Sequence, residues 1–564
     1  MKRAVAMGLA LAMVASLTAC GGGNSDAGTA ASSAVDSGTS SGAESGEDTG
    51  STGDASEETA AGTGGSAAEV TIISGDPASF MPLNQTGGGK NALSEVYEAL
   101  VDMDGFGGEI YGNLAKEWWW DGADLHVEIY DYIYDSQGNH ITADDVVFSY
   151  KESCDQGYTK SNFTIYCDSN AEALSDTEVV FHFLPDQTDV FLAEFTLLSG
   201  QYIFSEEAYK ASEDGMSTTP VGTGPYVVTE FVPGAYCTLE KNADYWQTDA
   251  SLVGPQHVAN VDKMTYKFIT DESQQVTALL TNEADFLDGI SAEAKTQFDN
   301  AEGWGISESY SHNCLGLTPN CLEGLPLSDM NLRAAIFWAV DVEDIIAAAG
   351  GSEFARRVSC WGVPDTDLYN AEWDTWDNYE TKSSADMEKA QEFMSKANYN
   401  GEKLRIIYNV DGGYANFIEP MALMVGAACD SLGINYELEN LADDVFATTW
   451  QSENSSDWDI MIWSQGCDGD LLKFYRNNFN TEVYKGGAGH YYDETLDQLV
   501  KNANSASGAT QENMDALIKH VVDNYYAYGF LEPVAFSAYN TDIIETPEPR
   551  TYRAWVIPGS WTYK

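Results

Sequence analysis

The chain has 564 residues, with 89 Asp and Glu against 27 Lys and Arg, so its formal charge is −62. That charge excludes nucleic acid as a natural partner, and an anionic lipid surface should repel it. With 43% hydrophobic and 12% aromatic residues the chain can bury large cores, which excludes global disorder and leaves room for roughly two to four domains.

At the N-terminus, Met1, Lys2 and Arg3 form a positive n-region, 4–16 an apolar h-region, and Leu17-Thr18-Ala19-Cys20 a junction of small residues ending in cysteine. The apolar run 4–19 is too short to span a bilayer, so 1–19 is predicted to be a signal peptide. The junction matches the bacterial lipobox, which implies cleavage before Cys20, diacylation of its sulfur and retention at a membrane through the acyl chains. Residues 21–68 are almost wholly Gly, Ser, Ala and Thr, with eight acidic residues and no Lys or Arg. Such a segment cannot build a core. As a coil of roughly 40 Å rms length, 20–68 would tether the body to the membrane.

Beyond Glu69, short β-rich runs at 70–74, 126–134, 178–183, 237–241, 263–269, 403–408, 435–439 and 459–463 alternate with amphipathic helices. The helices are expected over 90–100, 142–152, 271–282, 328–348, 383–397, 415–432, 495–503 and 510–527. Mixed strands and helices predict an α/β architecture. Thr142 with Asp145 three residues on predicts a capping-box start, and Ser328, with Asp329 following, predicts the N-cap of the next long helix. Residues 222–226 (GTGPY) read as a Gly/Pro turn feeding a strand, and not as a phosphate loop.

Five stretches in this order carry a family resemblance: 96–101 (VYEALV), 141–150 (ITADDVVFSY), 220–226 (PVGTGPY) with 242–246 (NADYW), 331–341 (NLRAAIFWAVD) and 457–463 (DWDIMIW). Behind a lipobox, they make residues 69–564 resemble the peptide- and nickel-type extracellular solute-binding proteins of ABC importers. The resemblance implies a two-lobed, periplasmic-binding-protein-like clamp of type II with an extra small domain. Lobe I would comprise 69–111, 221–312 and 537–564, the small domain 112–220, and lobe II 313–536. Crossings near His312 and Phe536 would form the hinge, and a ligand in the cleft would draw the clamp shut.

No enzyme signature competes with this reading. H-E-x-x-H, C-x-x-C, Walker A and G-x-G-x-x-G are absent, and the one G-x-S-x-G match, 38–42, lies in the coreless tether. The seven histidines are scattered singly without metal-ligand spacing. Gly486-Gly-Ala-Gly489-His490 reads as a flexible surface loop. Paired carboxylates are too common in so acidic a chain to single out a site.

The stretch Gly466-Cys467-Asp468-Gly469-Asp470 follows the apolar strand 460–463, where open α/β sheets place their ligands. In oligopeptide binders of the resembled family this segment supplies an Asp that pairs with the peptide's α-ammonium, and Asp468 or Asp470 is the candidate here. Gly466 occupies the position where the closest oligopeptide pattern has its acid. The resemblance also implies main-chain pairing of a peptide to Thr86, Gly87 and Gly88, where Gly-rich sequence suits close approach. Arg356, Arg357, Lys473 and Arg476 all stand as candidates for the carboxylate anchor. Trp361, Trp373, Trp376 and above all Trp463 are cleft candidates, whereas Trp118-Trp119-Trp120 is assigned to core packing.

Eight cysteines remain beside Cys20, an even set that suggests disulfides outside the cytoplasm. Cys154–Cys167 is a reasonable local bridge, and Cys314–Cys467 matches a bridge of some oligopeptide binders; Cys314–Cys321 and Cys321–Cys360 compete, and Cys237 and Cys429 are left over. The resulting expectation is a monomeric lipoprotein, neither enzyme nor cofactor-dependent and without a metal. It would sit on the outer face of the cytoplasmic membrane, anchored only by lipid, capture short peptides and deliver them to ABC permease subunits. An oligosaccharide, a metal chelate or a sensory role without import are the alternatives.

Overall fold

The computed structural model describes residues 67–83, 90–105, 108–156, 163–382, 384–410, 414–467, 470–481, 487–547 and 556–564, all within the unit Thr63–Lys564. The signal segment, Cys20 and most of the tether lie outside the described residues.

Twelve strands form one continuous sheet. Its order is Tyr436–Asn440, Leu404–Tyr408, Ile460–Gly466, Asn313–Pro319, Tyr528–Asn540, Phe286–Ile290, Ala67–Ile73, Val261–Lys267, Tyr236–Lys241 and Tyr226–Val232; Trp304–Tyr310 and Ala355–Arg357 pair additionally with Tyr528–Asn540. The long strand Tyr528–Asn540 is the spine. Its first half pairs with Asn313–Pro319 and, up to Pro533, with Ala355–Arg357. From Val534 onward it pairs with Trp304–Tyr310 and Phe286–Ile290. The ladder therefore changes partners between Pro533 and Val534, and the chain crosses a second time at Ser311 and His312, where the Ser311 N–H donates to the Pro533 carbonyl (3.0 Å).

Each side of this crossing has its own core. One gathers buried side chains from Cys314 to Leu531, including Trp361, Trp458 and Tyr475. On the other side, residues such as Val70, Phe286 and Trp561 pack beneath the sheet, and a neighbouring cluster holds Phe298 and Phe536. A further core fills the four-stranded sheet Ala115–Asp121, Asp124–Ile129, Glu178–His182 and Ala171–Ala173. It takes in Leu100, Val101, Met103 and Trp246, so the four-stranded sheet is packed into the same side as Ala67–Ile73.

Local chemistry explains where elements end. Helix Ala143–Asp155 starts as expected, with the Asp145 carboxylate accepting the Thr142 N–H (2.8 Å). The helix expected over 90–100 stops at Val96, because Val101–Met103 pairs with Ile110–Gly112 and the 222–224 turn closes on the helix end. The Gly224 N–H donates to the Val96 carbonyl (2.9 Å), and a Cβ on Gly222 would lie 2.1 Å from that oxygen, so only glycine fits. The helix expected over 328–348 divides into Met330–Ala339 and Val342–Ala348. Asp329, not Ser328, caps the first, because its carboxylate accepts the N–H groups of both Asn331 (2.8 Å) and Asn398 (2.7 Å).

Candidate functional site

The apolar run Ile460-Met461-Ile462-Trp463 is buried, and Ser464, Gln465 and Gly466 continue it as a half-buried strand end. Along one edge the whole strand pairs antiparallel with Asn313–Pro319, from Asn313 opposite Gly466 to Pro319 opposite Ile460. Along the other edge, Leu404–Tyr408 pairs only with Ile460, Met461 and Ile462. Among the described residues no strand pairs with 463–466 on that edge. Four residues of main chain there present a strand edge that another backbone can extend. The open edge adjoins the crossing, since the Cys467 N–H donates to the His312 carbonyl (2.9 Å).

At the crossing, His312 adopts a positive φ of 52°, and its N–H donates to Glu532 Oε1 (2.8 Å). Arg356 Nε donates to Glu532 Oε2 (2.7 Å), its guanidinium also pairs with Asp365, and its plane lies 3.5 Å from the Tyr310 ring centre. Glu532 is 0% exposed, and burial pushes its carboxyl up to about 7 against the opposing pull of Arg356. Two carboxylates thus occupy Arg356. Of the other candidate carboxylate anchors, Arg357 donates to the Glu380 carbonyl (2.6 Å) and Arg476 to the Tyr166 hydroxyl (3.4 Å). The Glu532–Arg356 pair escaped sequence reasoning, although a lone carboxylate inside the apolar run 528–536 was a visible signal.

Of the residues singled out from sequence, Thr86, Gly87, Gly88 and Asp468 lie outside the described residues. Gly466 lies on the open edge, and Cys467 is buried behind it. Asp470 is 8% exposed and caps helix Leu471–Phe479, its Oδ1 accepting the Lys473 N–H (2.9 Å). Burial raises its carboxyl above the ordinary range. Trp463 is 6% exposed and packs inward: its ring lies 5.9 Å from Trp361 and 5.2 Å from Trp450, and its N–H donates to Thr318 Oγ1 (3.0 Å). Trp361 and Trp373 are buried in the same core, and Trp376 packs against it. The inward orientation of Trp361, Trp373 and Trp463 completes the core below the open edge, and Trp376 is half-buried against it.

Neither expected disulfide is formed, since the thiols of Cys167 and Cys314 are free. Cys314 stands opposite Gln465, which leaves Cys467 as its diagonal neighbour. Diagonal pairs stand about 7–8 Å apart, beyond a disulfide's reach. Cys154 and Cys167 both pack on the core of the four-stranded sheet, where thiols act as small apolar groups. The loop ending at His490 is likewise no surface loop: Gly487 to His490 are buried, with the Gly489 carbonyl accepting the Cys321 N–H (2.7 Å). Of the three tryptophans at 118–120, Trp118 and Trp120 pack on a core and Trp119 is exposed against His126 (5.2 Å). Among the described residues, no group of three His, Cys, Asp or Glu side chains is arranged to hold a metal, and no helix is long and apolar enough to cross a membrane.

Comparison with known proteins agrees with this architecture. The family model for bacterial extracellular solute-binding proteins, family 5 (middle region), matches residues 109–486. The oligopeptide-binding protein AppA of Bacillus subtilis is 23% identical over 440 residues, covering 73% of this chain and 74% of AppA. Its solved complex with a nonapeptide superposes with a TM-score of 0.67 at 18% identity, over 89% of this chain and 100% of that one. The ABC transporter substrate-binding protein CtaP of Listeria monocytogenes has a TM-score of 0.72 at 20% identity, over 88% of this chain and 99% of CtaP. NikA of Staphylococcus aureus in complex with Ni(L-His)2 has a TM-score of 0.64 at 17% identity, over 88% and 100%. These likenesses show an α/β fold of the type II periplasmic-binding-protein kind.

Proposed function

Because the chain belongs to the bacterial extracellular solute-binding proteins of family 5, we propose that it captures short peptides between its two lobes and delivers them to the membrane permease of an ABC importer. The open edge at 463–466 carries this reading. Every peptide offers the same N–H and C=O pattern, so main-chain pairing binds peptides with little regard to side chains. AppA, which this chain matches across 74% of its length, is named as an oligopeptide binder. Thr86, Gly87 and Gly88 are proposed to pair with the ligand from the facing lobe, and Cys20 to carry the lipid anchor.

With Asp470 engaged in capping, the ammonium anchor falls to Asp468. Asp468→Ala is expected to weaken peptide binding by about 30-fold or more, as loss of a buried charge partner does. Asp470→Ala should instead cost about 1 kcal/mol of stability through loss of the helix cap. Isothermal titration paired with denaturant unfolding separates the two, and the opposite assignment of effects would move the anchor to Asp470.

Native mass spectrometry of the purified protein incubated with a mixed pool of short peptides and with nickel–histidine tests the ligand class. The expected result is added mass that dissociates as peptides. Added mass only from the chelate, or a protein that stays empty and whose melting temperature no peptide raises, overturns the peptide assignment.

A further inference from the structure

Away from the crossing strands, the two sides of the molecule touch through a strap with no covalent continuity. The Phe191 N–H donates to the Asn504 carbonyl (2.8 Å) and the Ala506 N–H to the Asp189 carbonyl (2.7 Å), so Val190 and Ser505 form an antiparallel bridge. The side chains divide between the two sides. Val190 and Leu192 pack on the core of the four-stranded sheet, whereas Phe191 packs on the opposite core, the one holding Trp361 and Trp463. Leu192 takes a positive φ of 52° to turn the chain into helix Ala193–Ser199. For a γ-branched residue that conformation is costly and persists only where surrounding contacts hold it.

A second contact also joins the two sides. Arg476, in the last turn of helix Leu471–Phe479, donates to the hydroxyl of buried Tyr166 in the four-stranded-sheet core (3.4 Å). That helix starts at Asp470, directly after the open-edge segment. The helix therefore carries Arg476, and with it the contact between the sides, a short way along the chain from the open edge.

We infer that the strap 189–192 is a latch of the closed state, which seats Phe191 and the Val190–Ser505 bridge on the opposite lobe when the clamp shuts. The inference rests on the proposed capture function in assuming that the lobes separate. The latch favours closure without touching ligand, so it sets how long a captured solute stays rather than which solute enters. Strand ends meeting at a single bridge suit this role: two hydrogen bonds and one aromatic ring can form and break as a unit, without repacking either core.

Phe191→Ala tests the latch in two ways. In small-angle scattering of the ligand-free protein, the variant should show a larger radius of gyration than wild type. With tetra-alanine as probe, its dissociation should be about 10-fold faster, with association nearly unchanged. The scattering result needs no ligand, so it stands or falls apart from the peptide assignment. A second variant covers the case in which Phe191→Ala misfolds. Val190 and Ser505 form the closely spaced type of antiparallel pair, within disulfide reach. Val190→Cys/Ser505→Cys, oxidised with copper phenanthroline, should cross-link readily even when empty, because the latch is formed for part of the time without ligand, faster still with tetra-alanine, and trap the bound peptide. Equal scattering of wild type and Phe191→Ala, or cross-linking at one rate throughout with undisturbed peptide exchange, would show a fixed junction and overturn the latch.

Discussion

Trp463→Ala is expected to destabilise the protein by about 3–5 kcal/mol while leaving peptide affinity within a few-fold of wild type. The indole is buried between Trp361 and Trp450, and nothing in a packed core of that kind collapses easily into the space it would leave. The substitution also removes the hydrogen bond that the Trp463 N–H donates to the hydroxyl of buried Thr318 (3.0 Å). Trp463→Phe should lose distinctly less, because a ring still fills most of the volume. Denaturant unfolding followed by tryptophan fluorescence, beside calorimetric titration with peptide, separates core from ligand contact. A large loss of affinity at unchanged stability would return Trp463 to the cleft.

The second large effect is on pH dependence. Burial pushes the carboxyls of Glu95 and Glu380 up to about 8, and that of Glu532 to about 7, from an ordinary value of 4.5. Glu95 accepts the Gly559 N–H (2.9 Å) beneath the C-terminal segment, and Glu380 lies among main-chain N–H groups of Cys360 and Gly529. Between pH 4.5 and 8 the unfolded chain gives up protons that the native protein retains, so the native state binds more of them. Stability is therefore complete below the unfolded value and is lost as pH rises through the folded values. For Glu95 and Glu380 the loss is on the order of 5 kcal/mol each. The −62 charge adds a repulsive slope of the same sign. Glu95→Gln and Glu380→Gln isolate the carboxyl contribution: each should gain stability over wild type progressively from pH 5 to pH 8.5. Parallel wild-type and variant curves over that range would show these carboxyls ionised in the folded protein.

Much of the architecture was legible because it depends on short-range pattern. The helix over 415–432 and the strand beginning near 459 follow from the 3.6-residue and continuous apolar patterns, and Thr142 with Asp145 marked a helix start that depends on no distant partner. The α/β class and the family followed from such segments in sequence order. Boundaries moved where a tertiary contact competed with propensity, as at Val96, where the glycine turn 222–224 closes on the helix end.

The strand end at 463–466 was legible as a segment, and its packing was not. Sequence pointed to the stretch after Trp463, and the open edge lies there, but local pattern could not say that Trp463 turns inward or that Asp470 is taken up by a helix cap. Both facts depend on partners elsewhere in the chain: Trp361 and Thr318 for the indole, and helix Leu471–Phe479 for the carboxylate. The register likewise sets Cys314 opposite Gln465 and not opposite Cys467. By itself, then, the sequence determined the α/β class and the family, because periodicity, turns and caps act over a few residues. Only the tertiary structure decided which aromatic rings form the core, how Glu532 holds Arg356 176 residues away, and that Phe191 packs on the core of Trp361 and Trp463, because burial and pairing belong to segments that meet only once the chain has folded.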